Sequence, residues 1–486
     1  MKSNMLTLGV LWEAILEKEA GAFAALPLAG RMVTDAVIDS RLAIPGCLFV
    51  ALPGEKADGH QFVGDAFQRG ASIALVDRDV PGFATVDLRA GILDPTALPK
   101  GDARAPLQLC LRVNNALTAM QKTAKTWRQR LTELRVIGVT GSVGKSTTKE
   151  LAASVLSARY STLANESSFN NEIGLPLTIL KVTEAHRRLV LEMGLYIPGD
   201  IAFLCDIARP QVGVITLIAP VHLERAGSIE AIVNGKAELV EALPADGTAI
   251  LNQDDERVRV LAGRTKARVF TYGLDPEADL RADSIESLGL EGMKFDLHYA
   301  GETLHVHLPL LGQHSVHTAL RAAAVGLVEG LNWQEILGGL SAPFTQLRLV
   351  AATGPDNSLL IDDTYNASPD SMIAALNLIH ELDGRKVAVL GDMLELGEYA
   401  ETGHRMVGAR AADVVDFLVT VGERARWIAA EAQLQGLSAE KISTQATTAD
   451  ALAFLKAHIG AGDVVLVKGS RGLRMDEIVL ALEVPE

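Results

Sequence analysis

The stretch Val136-Ile137-Gly138-Val139-Thr140-Gly141-Ser142-Val143-Gly144-Lys145-Ser146-Thr147 constrains this chain more than any other. An apolar, β-branched run meets a glycine turn, then a lysine and hydroxyls, then a helix-forming stretch. Glycine permits backbone angles that let successive N–H groups curl around phosphate oxygens, and a helix start adds the positive end of its dipole. Lys145 can then reach the β- and γ-phosphates, and the Ser146 hydroxyl can hold Mg²⁺. A strand, such a loop and a helix in succession belong to a parallel α/β sheet that binds a nucleoside triphosphate. The spacing is a variant. The common pattern places a glycine five residues before the one that precedes the lysine; Val139 stands there, and the glycines are Gly138, Gly141 and Gly144.

The rest of the chain fits that class. Its 486 residues suffice for about three domains. Apolar runs alternate with helical stretches, which implies parallel sheets covered by helices. Strands are expected at 47–52, 73–76, 135–139, 189–191, 212–217, 248–251, 359–361, 386–390, 417–421 and 463–467. Helices are expected at 115–131, 145–158, 229–243 and 318–330. Residues 270–310 alternate apolar and polar, as in Leu304-His305-Val306-His307-Leu308, and suggest antiparallel strands. Loop-rich segments at 92–106 and 340–346 mark candidate boundaries.

Some classes are disfavoured. The formal charge of −15 argues against general nucleic-acid binding, although a local cationic site can still take an anion. The three cysteines, Cys47, Cys110 and Cys205, form neither a disulfide framework nor a zinc pattern and suit a reducing compartment. No run of about 18 uncharged apolar residues suggests a membrane span, and the first residues lack a secretory pattern. The expected location is the cytoplasm.

Several further segments carry polar groups where parallel sheets bind ligands, beyond the carboxyl ends of strands. Glu192 ends the apolar run Leu189-Val190-Leu191 and could face Mg²⁺, although such a residue alone is more often a turn cap. His222 follows another strand, and Lys236 lies on a probable helix, where a lone lysine is usually on the surface. The loop from Asn165 to Asn171 could donate to a phosphate or carboxylate. Three C-terminal segments, Asp362-Asp363-Thr364-Tyr365-Asn366-Ala367-Ser368, Gly391-Asp392-Met393-Leu394-Glu395 and Lys468-Gly469-Ser470-Arg471, suggest a second ligand crevice.

These segments together resemble the Mur ligase family, the ATP-dependent enzymes that build the cell-wall stem peptide. The resemblance covers nearly the whole chain. It rests on Thr140–Ser146, on Asn170-Asn171 with Ile173-Gly174 and Pro176, on Glu192-Met193-Gly194, and on His222 followed by Lys236. Asp39-Ser40-Arg41 and Asp58-Gly59-His60 resemble the UDP-sugar-binding domain of the later enzymes. The three C-terminal segments are close to the branch that adds D-alanyl-D-alanine, and the Asp-Asn-Pro-Arg tetrapeptide of the diaminopimelate- or lysine-adding branch is absent.

The resemblance implies an α/β protein of three domains: a UDP-substrate-binding domain at 1–108, a central P-loop ATPase-like parallel sheet at 109–343, and a C-terminal Rossmann-like domain at 344–486. It implies that ATP phosphorylates the carboxylate of UDP-N-acetylmuramoyl-tripeptide and that the amine of D-alanyl-D-alanine attacks the acyl phosphate. The implied ATP site is Thr140, Gly141, Ser142, Val143, Gly144, Lys145, Ser146, Thr147, Asn252 and Asp363. Substrates would meet Ser40, Arg41, Asp58, His60, Asn170, Asn171, Arg348, Tyr365, Asn366, Ser368, Lys468 and Ser470. Lys145, Glu192, His222 and Lys236 would carry the chemistry. Two Mg²⁺ ions are implied, one on Ser146 and Glu192, a second involving His222 and Lys236, the latter at a position often carbamylated in the family. A monomer is expected. Rival readings are a relative with a different amine acceptor and an impaired nucleotide-binding scaffold.

The chain also departs from the family pattern. His314-Ser315-Val316-His317-Thr318 stands where the family has His-Asn-x-x-Asn near adenine, so Asn252 is a candidate substitute. Thr345-Gln346 stands where a Gly-Arg pair is usual. Arg348, on the same face of an extended segment, is the candidate replacement. Ala219-Pro220-Val221-His222 is a milder variant.

Overall fold

The computed structural model describes residues 5–54, 57–99, 107–166, 169–220, 223–342 and 350–484. The chain forms two compact units, one of residues 1–138, 160–194 and 200–211, the other of residues 139–159, 195–199 and 212–486.

In the first unit, β1 (Ala36–Val37), β2 (Leu48–Val50), β3 (Ile73–Val76), β4 (Ala84–Asp87) and β5 (Leu109–Arg112) form a parallel sheet in the order β1-β2-β3-β5-β4. Cys47, Phe49, Ala74, Val76 and Cys110 pack against Val63, Ala66 and Phe67 of the helix Val63–Gln68 and its start. A domain limit at 108 would cut β5 from this sheet. Leu109-Cys110-Leu111 is fully buried, and it finds its neighbours in β3 and β4. Next comes the helix Ala116–Arg130, whose N-terminus is capped by the Asn115 side chain, which accepts from Thr118 N–H at 2.8 Å. Its buried Arg128 donates to the carbonyls of Leu131, Leu134 and Ala208, and burial pushes its pKa down to about 10. After β6 (Arg135–Thr140), β7 (Thr162–Ala164) pairs in parallel with β8 (Arg188–Glu192).

In the second unit, β9 (Val212–Ile215), β10 (Thr248–Asn252) and β11 (Arg268–Gly273) run parallel. β12 (Leu280–Ser287) pairs in parallel with β11, then β13 (Met293–Tyr299) and β14 (Glu302–Leu308) continue antiparallel. The alternating pattern thus marks β12 to β14, while β11 belongs to the parallel part. The helices Lys145–Ser157 and His314–Val328 pack together. The second starts four residues earlier than the periodicity suggests and stops before Gly330, which sits at φ +80°.

The C-terminal sheet has the order β15-β16-β20-β17-β18-β19, with β15 (Val350–Thr353), β16 (Leu359–Asp362), β17 (Arg385–Gly391), β18 (Phe417–Val421), β19 (Ile442–Gln445) and β20 (Asp463–Lys468). Only β15 is antiparallel to its neighbour. Successive residues point to opposite faces. Ala388, Leu390, Leu418, Val464 and Leu466 therefore pack under the helices Pro369–His380 and Ala400–Val414. Val387, Val389, Val419, Val465 and Val467 pack under Thr448–His458 and Asp476–Leu482. Burial on both faces explains why these strands read as continuous apolar runs. Among the described residues no helix is long and apolar enough to cross a membrane.

Candidate active site

The phosphate loop is built against β9. Ser142 N–H donates to Leu217 O at 2.7 Å, the Ser142 hydroxyl meets Ala219 O at 2.9 Å, and the buried Thr216 hydroxyl donates to Val143 O at 2.7 Å. Two glycines are required by geometry. Gly141 has φ +148°, and a Cβ there would fall 1.8 Å from the Thr216 hydroxyl oxygen; Gly144 has φ +81° at the start of the helix Lys145–Ser157. Lys145 arches over the loop, its Nζ donating to Gly141 O at 2.9 Å and Ser142 O at 3.1 Å. Thr140 is buried at the end of β6, and Ser146 and Thr147 occupy the first turn of the helix. The expected strand, glycine loop and helix follow one another here, with the lysine folded back onto the loop carbonyls.

Beside it lies the segment that departs from the family. Thr318, at the second asparagine position, accepts from Arg321 Nη2 at 2.7 Å, and that guanidinium lies 5.9 Å from the Tyr272 ring centroid. The buried Ser315 hydroxyl, at the first position, has no hydrogen-bond partner among the described residues. His317 contacts Asp254 at 2.7 Å. Burial raises the Asp254 pKa, but His317 and the N–H groups of Leu274 and Asp275 outweigh it and hold the carboxyl below its ordinary range. Asn252, the candidate for adenine, instead donates to Thr216 O at 3.0 Å and accepts from Asp254 N–H at 3.1 Å. Its amide ties β10 to the end of β9. Desolvation and the cations Lys468 and Arg321 push the His314 pKa down to about 4.

In the first unit, Glu192 is 2% exposed at the end of β8. Asn165 holds its backbone on both sides, accepting from Glu192 N–H at 2.9 Å and donating to Glu192 O at 3.1 Å. Asn170 donates to its carboxylate at 2.9 Å. Asn171 accepts from the N–H groups of Ile173 and Gly174, at 3.2 and 2.9 Å, and so starts the helix Gly174–Leu180. The asparagine-rich loop thus orients an acid and caps a helix.

The N-terminal candidates also have local partners. Ser40 donates to Asp65 at 2.7 Å, and the Arg41 side chain is 80% exposed while paired with Asp39 at 2.6 Å. Buried His60 meets Asp58 at 2.7 Å through Nδ1 and Asp77 at 3.0 Å through Nε2, and Arg78 pairs with Asp58. Asp65, Asp77 and Arg78 were not expected. They are dispersed in sequence and meet only when the sheet forms.

At the C-terminal sheet, the loops after β16, β17 and β20 come together because those strands are neighbours. Lys468 Nζ pairs with Asp363 at 2.6 Å and donates to Asn366 O at 3.0 Å. Ser470 N–H donates to Asp392 O at 3.1 Å, and its hydroxyl accepts from Leu394 N–H at 2.9 Å. Arg471 lies over Tyr365, 5.6 Å from the ring centroid. Two expected substrate residues also hold neighbouring groups. Lys468 is bound to Asp363, and Ser368 caps the helix Pro369–His380 through reciprocal bonds with Ser371.

Lys236 is 3% exposed on the helix Ile229–Glu241, contrary to the usual surface position of a helical lysine. His222 and Arg348, with Thr345 and Gln346, lie outside the described residues. Among the described residues no group of three His, Cys, Asp or Glu side chains could hold a metal by itself. Mg²⁺ needs less, being held through one or two carboxylates with substrate phosphates and water. The oriented carboxylate of Glu192 is a hard oxygen donor of that kind.

Comparison with known proteins agrees with this architecture. Residues 139–326 match the Mur ligase middle domain, residues 348–471 the Mur ligase glutamate ligase domain, and residues 33–86 the Mur ligase family catalytic domain. The UDP-N-acetylmuramoyl-tripeptide–D-alanyl-D-alanine ligase of Bacillus subtilis is 37% identical over 89% of each chain. The crystal structure of MurF from Acinetobacter baumannii has a TM-score of 0.82 at 28% identity, covering 99% of each chain. MurF from Thermotoga maritima, solved in complex with ADP, has a TM-score of 0.73 at 26% identity, covering 92% of this chain and 96% of that one. The three-domain α/β architecture is that of these enzymes, and the chain belongs to the Mur ligase family, in the branch of its UDP-N-acetylmuramoyl-tripeptide–D-alanyl-D-alanine ligases.

Proposed function

We infer that this protein is an ATP-dependent ligase that joins D-alanyl-D-alanine to UDP-N-acetylmuramoyl-tripeptide in peptidoglycan precursor synthesis. The observation that carries this reading is near full-length similarity to enzymes of that name, combined with the glycine loop onto which Lys145 folds.

A carboxylate oxygen of the tripeptide attacks the γ-phosphorus of ATP, the bond to the β-phosphate oxygen breaks, and ADP leaves. The dipeptide amine then attacks the acyl carbon, a tetrahedral intermediate collapses, phosphate departs and the amine loses its proton. Both steps bring anions together or develop negative charge. Lys145 and the loop N–H groups oppose that repulsion, and a fixed, water-poor site strengthens their effect.

In this reading Ser146 and Glu192 hold one Mg²⁺, which when bound neutralises phosphate charge. His222 and carbamylated Lys236 serve a second. The burial of Lys236 supports a part in the site, and Asn170 sets the orientation of Glu192. Ser40, Arg41, Asp58 and His60 serve the UDP-linked substrate. Tyr365, Asn366 and Ser470 face the dipeptide, Asp363 the nucleotide, and Arg348 a phosphate. We assign three domains with limits near 112 and 343, and propose a cytoplasmic monomer.

Phosphate release is the test. With ATP, UDP-N-acetylmuramoyl-tripeptide and D-alanyl-D-alanine, turnover should require all three and vanish in Lys145→Ala. Turnover with another amine alone would reassign the acceptor. Tight ATP binding without turnover on any acceptor would identify a scaffold instead.

A further inference from the structure

The loop after β17 is held from beneath by a histidine that the reaction does not use. His404 is 0% exposed on the helix Ala400–Val414. Its Nδ1 lies 2.6 Å from Ala400 O, and a carbonyl only accepts, so Nδ1 carries the proton. Nε2 therefore keeps its lone pair and accepts Met393 N–H at 3.0 Å. The two partners together select one neutral tautomer.

Met393 is the centre of a small network. On one side Asp392 O accepts Ser470 N–H, and Asp392 Oδ1 accepts Ala425 N–H at 2.7 Å. On the other, Leu394 N–H donates to the Ser470 hydroxyl. Glu395, next along, sits at φ +62°, a conformation that a non-glycine residue keeps only when its surroundings hold it. The loop therefore depends on its anchors, and His404 supplies the one beneath Met393.

We propose that His404 is the positioning residue for Ser470 at the dipeptide-accepting end of the C-terminal sheet, acting through the Met393 N–H bond. This rests on the reading of Ser470 as substrate-facing. Protonation of Nε2 would set an N–H against the Met393 N–H and turn the anchor into a repulsive contact. Among the described residues the charged groups acting on the ring are Asp392, from the end of β17, and Arg424, ahead of the helix Arg426–Leu434. Burial is the largest influence and holds the ring neutral to below its ordinary value of 6.5, with Arg424 assisting, while the Ala400 carbonyl and Asp392 oppose it. The edge of Trp427, 5.7 Å between ring centroids, closes the site with an apolar surface.

The test is the KM for D-alanyl-D-alanine from pH 8 to pH 5.5, at saturating ATP and UDP-linked tripeptide, for wild type, His404→Gln and His404→Phe. His404→Phe removes the acceptor and should raise KM about five- to tenfold at every pH, the worth of one hydrogen bond, with kcat changing less. Glutamine offers an acceptor and a donor but does not titrate, so His404→Gln should recover most of that loss. The dipeptide amine titrates equally in all three. An unchanged KM in His404→Phe, or no recovery in His404→Gln, would overturn the proposal. Absence of turnover with D-alanyl-D-alanine by wild type at pH 8 would instead refute the proposed function. The tautomer then remains testable by nitrogen-15 NMR, where a proton on Nε2 at pH 7.5 would overturn the proposal independently.

Discussion

Lys468→Met removes one half of a buried ion pair while nearly preserving volume. In the native protein the Lys468 side chain is 2% exposed and that of Asp363 is 14% exposed, with 2.6 Å between Nζ and the carboxylate. The Asp363 carboxylate then stays largely buried without the Lys468 cation. Breaking such a pair from one side costs about 3–5 kcal/mol. The bond to Asn366 O is lost as well. β20 and β16 pair directly through Ile361–Leu466 and Asp362–Val467, so the damage should appear in both. Native-state hydrogen exchange of their amides reports that local free energy without assuming that a three-domain chain unfolds in one step. Exchange through opening should accelerate by roughly two to three and a half orders of magnitude, at about 1.4 kcal/mol per tenfold. Lys468→Met combined with Asp363→Asn should recover much of this, because the charge that was stranded is gone. A loss below about 1 kcal/mol in the single variant, or no recovery in the double, would refute the reasoning that the pair is desolvated and mutually dependent.

Other sites give separate tests. Gly141→Ala places a Cβ 1.8 Å from the Thr216 hydroxyl oxygen and should raise the KM for ATP by about tenfold or more, measured at constant fold by circular dichroism. Asn170→Ala removes one hydrogen bond to the Glu192 carboxylate and should raise the Mg²⁺ concentration for half-maximal turnover about tenfold, as loss of an orienting residue typically does, while UDP-substrate KM changes little. Asp254 has a depressed native pKa, so its contribution to stability is complete above the ordinary 3.8 and is lost as pH falls through the native value. Wild type and Asp254→Asn should therefore differ in thermal stability at pH 6 and converge toward pH 3; a constant gap across that range would exclude the assignment.

Much of the fold was legible because parallel strands buried on both faces are continuous apolar runs. Val387–Leu390 and Val464–Val467 are examples, and β3 and β18 run over the residues their patterns suggest. Edge strands such as β4 and β19, half covered and polar, carry no such signal. Strand order is not written in a run of sequence either; Leu109–Arg112 lies in chain order after β4 but in space between β3 and β4. The same applies to the site. Thr140 to Ser146 are contiguous and could be read locally. The role of Lys468 could not, since its partner Asp363 lies 105 residues away.

The sequence alone determined that this is an α/β nucleotide enzyme of the Mur ligase type, because a phosphate loop and its helix are contiguous and their chemistry follows from residue order. Tertiary structure decided which polar residues partner one another. Asn252, Ser368 and Lys468 found their partners, and His404 emerged as an anchor, once distant strand ends were brought together. The physical reason is that a buried polar group must find a partner, and only the folded chain determines which partner is within reach.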